Sequence, residues 1–478
     1  MTTKGEGSGA THILIFPFPA QGHMIPLLDL THQMATHYAG RISITVVVTP
    51  KNLPHLHQLL SVHPSIETLV LPFPSNSKLP IGAEHFNDLT LPLFLALIRA
   101  LGGLHDPLIR WFKSHSSPPV AILSDIFFGW THSLAAELGI RRIVFSPSGA
   151  LSLSVLYATF RDKPQRKDVV SFPDIPNCPK YYWSHLSSLY RRYVDGDPDG
   201  EFHRAGYVDN IASWGLVINT FAGLEEVYLD HLKKVLGHDR VWAVGPLKPI
   251  VDDDQTGPTN RGGSFSVPVE SIVSWLDKCD DHKVVYVSFG SVAVLRNDQM
   301  EALALGLEKS GVHFIWAVKE PAEAQLDDGY GRVPLGFEDR VVGRGLVIRG
   351  WVPQVLILGH RAVGAVLTHC GWNSVLESVV AGVSMLAWPM LADNPVNATL
   401  VVDHLKVATR VCEGVQDVPD PAVLARLLVE SVSDDRPERQ RATRLREEAL
   451  QATTDGGSSV KDVESLIGHL IALGTTSK

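Results

Sequence analysis

The stretch VGAVLTHCGWNSVLESVVAG, residues 363–382, carries the deciding signal in this 478-residue sequence. The apolar run VGAVL reads as a strand buried on both faces, as strands in parallel sheets are. THCGW reads as a tight turn, and NSVLESVVAG as a helix. Its buried stripe is Val375, Leu376, Val379 and Val380, and Gly382 ends it. Strand, glycine turn and helix in that order form the unit of a doubly wound α/β sheet. The first N–H groups of such a helix lack partners within it, and its dipole is positive there. That end can hold a phosphate without any Lys or Arg. Ser374 and Glu377 also fit a capping box, S-x-x-E, which requires no ligand. The box leaves His369, Gly371 and Trp372 unaccounted for. His369 and Cys370 have no partner pair at zinc-ligand spacing, so a phosphate fits the turn best.

The same alternation extends outward. Upstream, HILIFPF (12–18), ISITVVV (42–48), ETLVLP (67–72), VAILSD (120–125), RIVFSP (142–147), GLVINT (215–220) and RVWAVG (240–245) read as strands. MIPLLDLTHQMATHY (24–38) and LPLFLALIRALGGL (91–104) carry helical spacing between them. A Pro- and Gly-rich polar stretch, 248–266, reads as a linker. After it come VVYVSFG (284–290), HFIWAV (313–318), GLVIRGW (345–351), VGAVLTH (363–369) and SMLAWP (384–389), with a helix at 297–311. The expected fold is α/β: two Rossmann-like doubly wound domains, 1–247 and 267–455, with a closing helix in 456–478. In such sheets ligands lie beyond the carboxyl ends of the strands, so a cleft between the domains is the expected site.

Apolar residues make up 45% and charged residues 19%, a globular composition, and the chain is too long for one ordinary core. No uninterrupted apolar run reaches the roughly 18 residues of a membrane span, and the polar start, MTTKGEGSGA, lacks a secretory signal. The four cysteines are scattered without CxxC spacing, which suits a reducing, cytoplasmic setting. A net charge of −9 without a Lys/Arg block speaks against nucleic acid as the main partner. DGDPDG (195–200) imitates the start of a calcium loop, but the twelfth position is Gly206 rather than Glu, and Pro198 intrudes. Asp252, Asp253 and Asp254 sit in the linker with no strand to place them. No metal is expected.

WVPQVLILGHRAVGAVLTHCGWNSVLESVVAGVSMLAWPMLADN, the 44 residues 351–394, resembles the signature box of plant secondary-product UDP-glycosyltransferases, glycosyltransferase family 1. FPFPAQGHMIPLLDL (16–30) and VVYVSFGS (284–291) extend the resemblance along the chain. It implies the GT-B fold, a UDP-sugar as co-substrate, no cofactor, and a role in plant secondary metabolism. Carried onto matching positions, it implies that Trp351 stacks on the uracil, with Val352 and Gln354 at the base and ribose. Glu377 would accept from the ribose hydroxyls. His369, Asn373, Ser374 and Ser291 would surround the diphosphate, and Trp372, Asp393 and Asn394 would face the sugar.

PAQGH places His23 where the first strand meets its helix, and Asp125 ends the strand VAILSD. An acceptor phenol, with a pKa of about 10, is mostly protonated at neutral pH, so a general base helps. The resemblance makes His23 that base, Asp125 its assistant, and the transfer inverting. Phe94, Phe127, Phe128, Trp130, Ser148 and Trp183 are candidates for the acceptor pocket. DLTHQ (29–33), VTPKNLP (48–54), LPFPS (71–75) and LHDPL (104–108) are most similar to the flavonol 7-O-glycosyltransferase group, which points to a flavonoid or related phenol. Where glucosyltransferases of the family commonly end the box with Gln, this chain has Asn394. Glucose remains the favoured donor ahead of rhamnose or a pentose. The other readings are a GT-B nucleotide-sugar epimerase, which needs no acceptor pocket, and a non-catalytic UDP-sugar binding protein. A monomer without a membrane span is expected. VKDVESLIGHLIALG (460–474) reads as an amphipathic helix, which the resemblance sends back onto the first domain.

Overall fold

The computed structural model describes residues 9–249 and 265–476. Most of the expected linker, with Asp252–Asp254, lies outside the described residues.

The runs read as strands form two wholly parallel sheets. The first contains β1 (Thr11–Phe16), β2 (Ile42–Val48), β3 (Glu67–Val70), β4 (Ala121–Asp125) and β5 (Arg141–Ser146). A separate antiparallel ribbon, β6 (Val169–Ser171) and β7 (Lys180–Tyr182), intervenes before β8 (Gly215–Ile218) and β9 (Val241–Ala243) complete it. The strand order is β3-β2-β1-β4-β5-β8-β9. The second sheet runs β12-β11-β10-β13-β14-β15. Its strands are β10 (Val284–Ser288), β11 (His313–Val318), β12 (Gly345–Arg349), β13 (Val363–Thr368), β14 (Ser384–Ala387) and β15 (Ala408–Arg410). Each order reverses direction next to its first strand, between β1 and β4 and between β10 and β13. Such a switch point opens a crevice at the carboxyl edge of a sheet.

Every residue of β1, β10 and β13 is buried, because helices cover both faces. The helix Trp372–Ala381 follows β13 and buries Trp372, Val375, Leu376, Ser378 and Val379. Val380, expected in that stripe, is half-buried, and its carbonyl accepts from Arg446. Gly382 ends the helix at φ 72°, a conformation open to glycine.

One continuous apolar cluster crosses the domain boundary, joining Tyr157 and Leu224 to Val375, Leu376 and Leu400. The last helix, Ser458–Thr476, turns back and places Val463, Leu466, Ile467 and Leu470 in the first domain's core. Asp462 there accepts from the Ala243 N–H at 2.7 Å. The helical stretch Leu91–Ser114 is long and apolar enough to cross a membrane by length and composition. Half of its most apolar 18-residue segment is buried, and Phe94, Leu97, Ile98, Leu101 and Leu108 pack into the first domain.

Candidate active site

A cleft of about 500 Å³ lies between the two carboxyl edges. On the first domain's side, the chain leaves β1 and enters the helix Gln21–His37, whose third residue is His23. Asp125 is the last residue of β4, the neighbour of β1 across the switch point. His23 Nδ1 donates to Asp125 Oδ2 at 2.8 Å. Asp125 is 0% exposed and His23 21%. With Nδ1 carrying the proton, the lone pair resides on Nε2. The other carboxylate oxygen, Oδ1, accepts from the Phe127 N–H at 2.9 Å. Phe127 stacks on the imidazole at 4.6 Å and 28°, and Phe18 meets it edge-on at 5.6 Å.

On the opposite side, β13 runs into His369, Cys370 and Gly371, and the helix begins at Trp372. Gly371 is the N-cap, so Ser374 lies inside the first turn and the capping box does not form. Ser374 Oγ and Glu377 Oε2 instead accept from Gln354 Nε2 at 3.0 and 2.6 Å. Gln354 Oε1 accepts from the Tyr286 hydroxyl at 3.1 Å. The turn is tight around His369. A Cβ on Gly290 would fall 2.6 Å from its ring, and one on Gly371 2.4 Å away. Burial lowers the His369 pKa to about 4, so the ring is neutral at physiological pH. Its edge reaches the cleft, yet Nδ1 is buried with no hydrogen-bond partner among the described residues, a rarity in folded proteins. An orphan polar atom beside unpaired helix N–H groups fits an anionic ligand. Cys370 adopts φ 64°, and burial pushes its thiol up to about 12, which keeps it protonated.

Two residues expected at the donor also bind the domains together. Trp372, 3% exposed, donates its indole N–H to the Asn219 carbonyl at 2.6 Å. Asn373 Nδ2 donates to the Gly22 carbonyl at 3.0 Å, beside His23. Asn394, 5% exposed, accepts from the Leu391 N–H at 3.0 Å through Oδ1. Ser291, Trp351, Val352 and Asp393 all line the cleft.

Residues 10–249 match the family described as glycosyltransferase, N-terminal domain, and 267–413 match UDP-glucoronosyl and UDP-glucosyl transferase. A flavonol 3-O-glucosyltransferase of Arabidopsis thaliana is 56% identical over 470 residues, 97% of each chain. A flavonol 7-O-rhamnosyltransferase of the same plant is 42% identical, over 96% of this chain and 98% of that one. The crystal structure of Arabidopsis thaliana UGT89C1 complexed with UDP-L-rhamnose superposes with a TM-score of 0.80. It is 41% identical and covers 97% of this chain and 99% of its own. The chain belongs to the UDP-glycosyltransferase family. It is a UDP-dependent enzyme of the GT-B fold.

Of the glycosyltransferase's expected acceptor residues, Phe94, Phe127 and Ser148 line the cleft. Phe128 and Trp130 do not. The short turn Ile126–Phe128 sends Phe127 toward His23 and Phe128 into the core, where Phe128 and Trp130 pack on Phe16. Trp183 packs on Tyr190 beside the β6–β7 ribbon, away from the cleft. Sequence reasoning missed Phe86, Leu91, Leu156, Leu189 and Tyr207, which complete the apolar wall. They come from five separate loops and helices and share no motif. Asp197, from the calcium-like stretch, caps the helix Pro198–Ile211, while Asp195 and Asp199 pair with Lys163 and Lys78. Among the described residues, no group of three or more His, Cys, Asp and Glu side chains is placed to hold a metal ion.

Proposed function

We propose that the enzyme transfers a sugar from a UDP-sugar to a phenolic hydroxyl of a flavonoid, with inversion at the anomeric carbon. The His23–Asp125 pair at 2.8 Å, facing the glycine turn across one cleft, is the observation that carries this reading. His23 Nε2 takes the hydroxyl proton as the phenolic oxygen attacks the anomeric carbon, and the bond from that carbon to UDP breaks. Asp125 steadies the imidazolium so formed. His369, Ser374 and the helix N–H groups receive the diphosphate, Trp351 and Gln354 the nucleoside, and Asp393 and Asn394 the sugar. The relatives named for flavonols, and a UGT89C1 structure complexed with quercetin, support a flat aromatic acceptor. Relatives named for glucosyl and rhamnosyl transfer stand on either side of the donor question, and we place glucose first.

The test is product mass after incubation with kaempferol and, in separate reactions, UDP-glucose, UDP-rhamnose, UDP-xylose or UDP-galactose. One hexose added from UDP-glucose is expected. His23→Ala should lower turnover by about 10²–10⁴-fold while still binding UDP. No product from any donor, or donor consumption that needs no phenol, overturns the reading. Full turnover by the His23→Ala variant removes His23 as the base.

A further inference from the structure

Among the described residues, three carboxylates line the cleft, those of Glu320, Glu377 and Asp393. Among the described residues lining it, one Lys or Arg side chain appears, that of Lys319. A UDP-sugar brings a diphosphate into this acidic surround, and the departing UDP gains further negative charge. The helix N-terminus at Trp372 contributes only about half a positive charge.

Lys319 directly follows β11, at the carboxyl edge where ligands of such sheets bind. β11 pairs with β10, and the loop leaving β10 carries Gly290 and Ser291. Lys319 Nζ donates to the Val292 carbonyl at 3.2 Å, so the ammonium is held beside that loop. An ammonium has three donors, and this bond uses one. Burial lowers its pKa. A half-buried cation at the rim of an anion site, ion-paired with no carboxylate among the described residues, is arranged for a ligand that brings the charge.

We propose that Lys319 is the counter-cation of the donor diphosphate, binding the UDP-sugar and stabilising UDP as it leaves. This rests on the reading of the cleft as a UDP-sugar site. The competing role is structural: Lys319 could serve only to fix the Val292 carbonyl and, with it, Ser291.

Calorimetric titration of the whole protein and of its Lys319→Met and Lys319→Arg variants with UDP, UMP and uridine separates the two. Lys319→Met should weaken UDP about tenfold or more and leave uridine within about twofold, because a charge-assisted contact to phosphate is lost. The loss should be smaller for UMP, and Lys319→Arg should recover most of the UDP affinity. The salt dependence of UDP binding should also flatten in the Met variant. Equal weakening of uridine and UDP, or unchanged UDP affinity, overturns the assignment. A wild-type protein that does not bind UDP overturns the donor reading as well. Wild-type binding matched by the Met variant overturns only the lysine's role.

Discussion

Asp125 divides its two oxygens between a backbone N–H and an imidazole, and this makes its role separable. In Asp125→Asn, the amide oxygen can still accept from Phe127, so the turn that aims Phe127 at the cleft persists. The amide's N–H₂ cannot accept from His23, and the ring must change tautomer or turn away. Turnover should therefore fall by about 10²–10⁴-fold with little change in melting temperature. Asp125→Ala should lose both activity and stability; equal melting losses in the two variants would remove the distinction. His23 and Asp125 were singled out by the family resemblance, which fell on the start of the helix after β1 and on the last residue of β4. Their partner Phe127 was legible only as an aromatic near Asp125. Phe128 and Trp130 share that description, and nothing in composition shows which way a three-residue turn will point them. Ser374 and Glu377 kept the spacing of a cap, but Gly371 starts the helix three residues earlier, so the same two side chains meet Gln354 instead.

The glycine turn works as an element because two backbones close on one ring. Gly290 adopts φ 72°, and its absent Cβ leaves room for His369. Gly290→Ala should displace the ring or the β10 loop and weaken UDP binding by about tenfold or more, given that left-handed strain and a close contact act together. Titration with UDP checks this, and unchanged affinity would show that the cradle tolerates a methyl group. The long apolar strands were legible because burial on both faces leaves few polar residues to blur them. The β6–β7 ribbon and β15, at three residues each, carry no period and were missed. The stretch from Leu91 shows the reverse limit. Its length and apolarity suit a membrane, but its residues pack on β1 and β4, a choice made by tertiary contacts.

At the scale of the molecule, the donor turn is anchored in the other domain. Asn397, 1% exposed, accepts from the Ser152 hydroxyl at 2.6 Å and donates to the Cys370 carbonyl at 2.9 Å. Ser152 belongs to a helix whose first N–H groups, from Ala150 and Leu151, end on buried Glu225. Asn397→Asp sets an acceptor against the Cys370 carbonyl and should destabilise by about 1–3 kcal/mol, with a lower kcat/KM for the donor. Ser152→Ala removes only the hydroxyl and should be milder. Thermal melts and kinetics check both, and wild-type values for Asn397→Asp would show that the junction does not hold the turn. This junction joins residues 245 positions apart, a pairing that one sequence does not display. Two domains were legible from the two strand series, but the coupling between them was not. The closing helix adds a consequence for synthesis. Val463, Leu466, Ile467 and Leu470 cover apolar residues of β1, yet residues 244–457 separate the end of the first sheet from that helix. At ribosomal speeds of about 5–20 residues per second, that face stays uncovered for roughly 10–40 s while the second domain emerges. The nascent chain therefore presents a complete sheet with one sticky, uncovered face to the cell, and its protection during translation becomes part of how much enzyme is made.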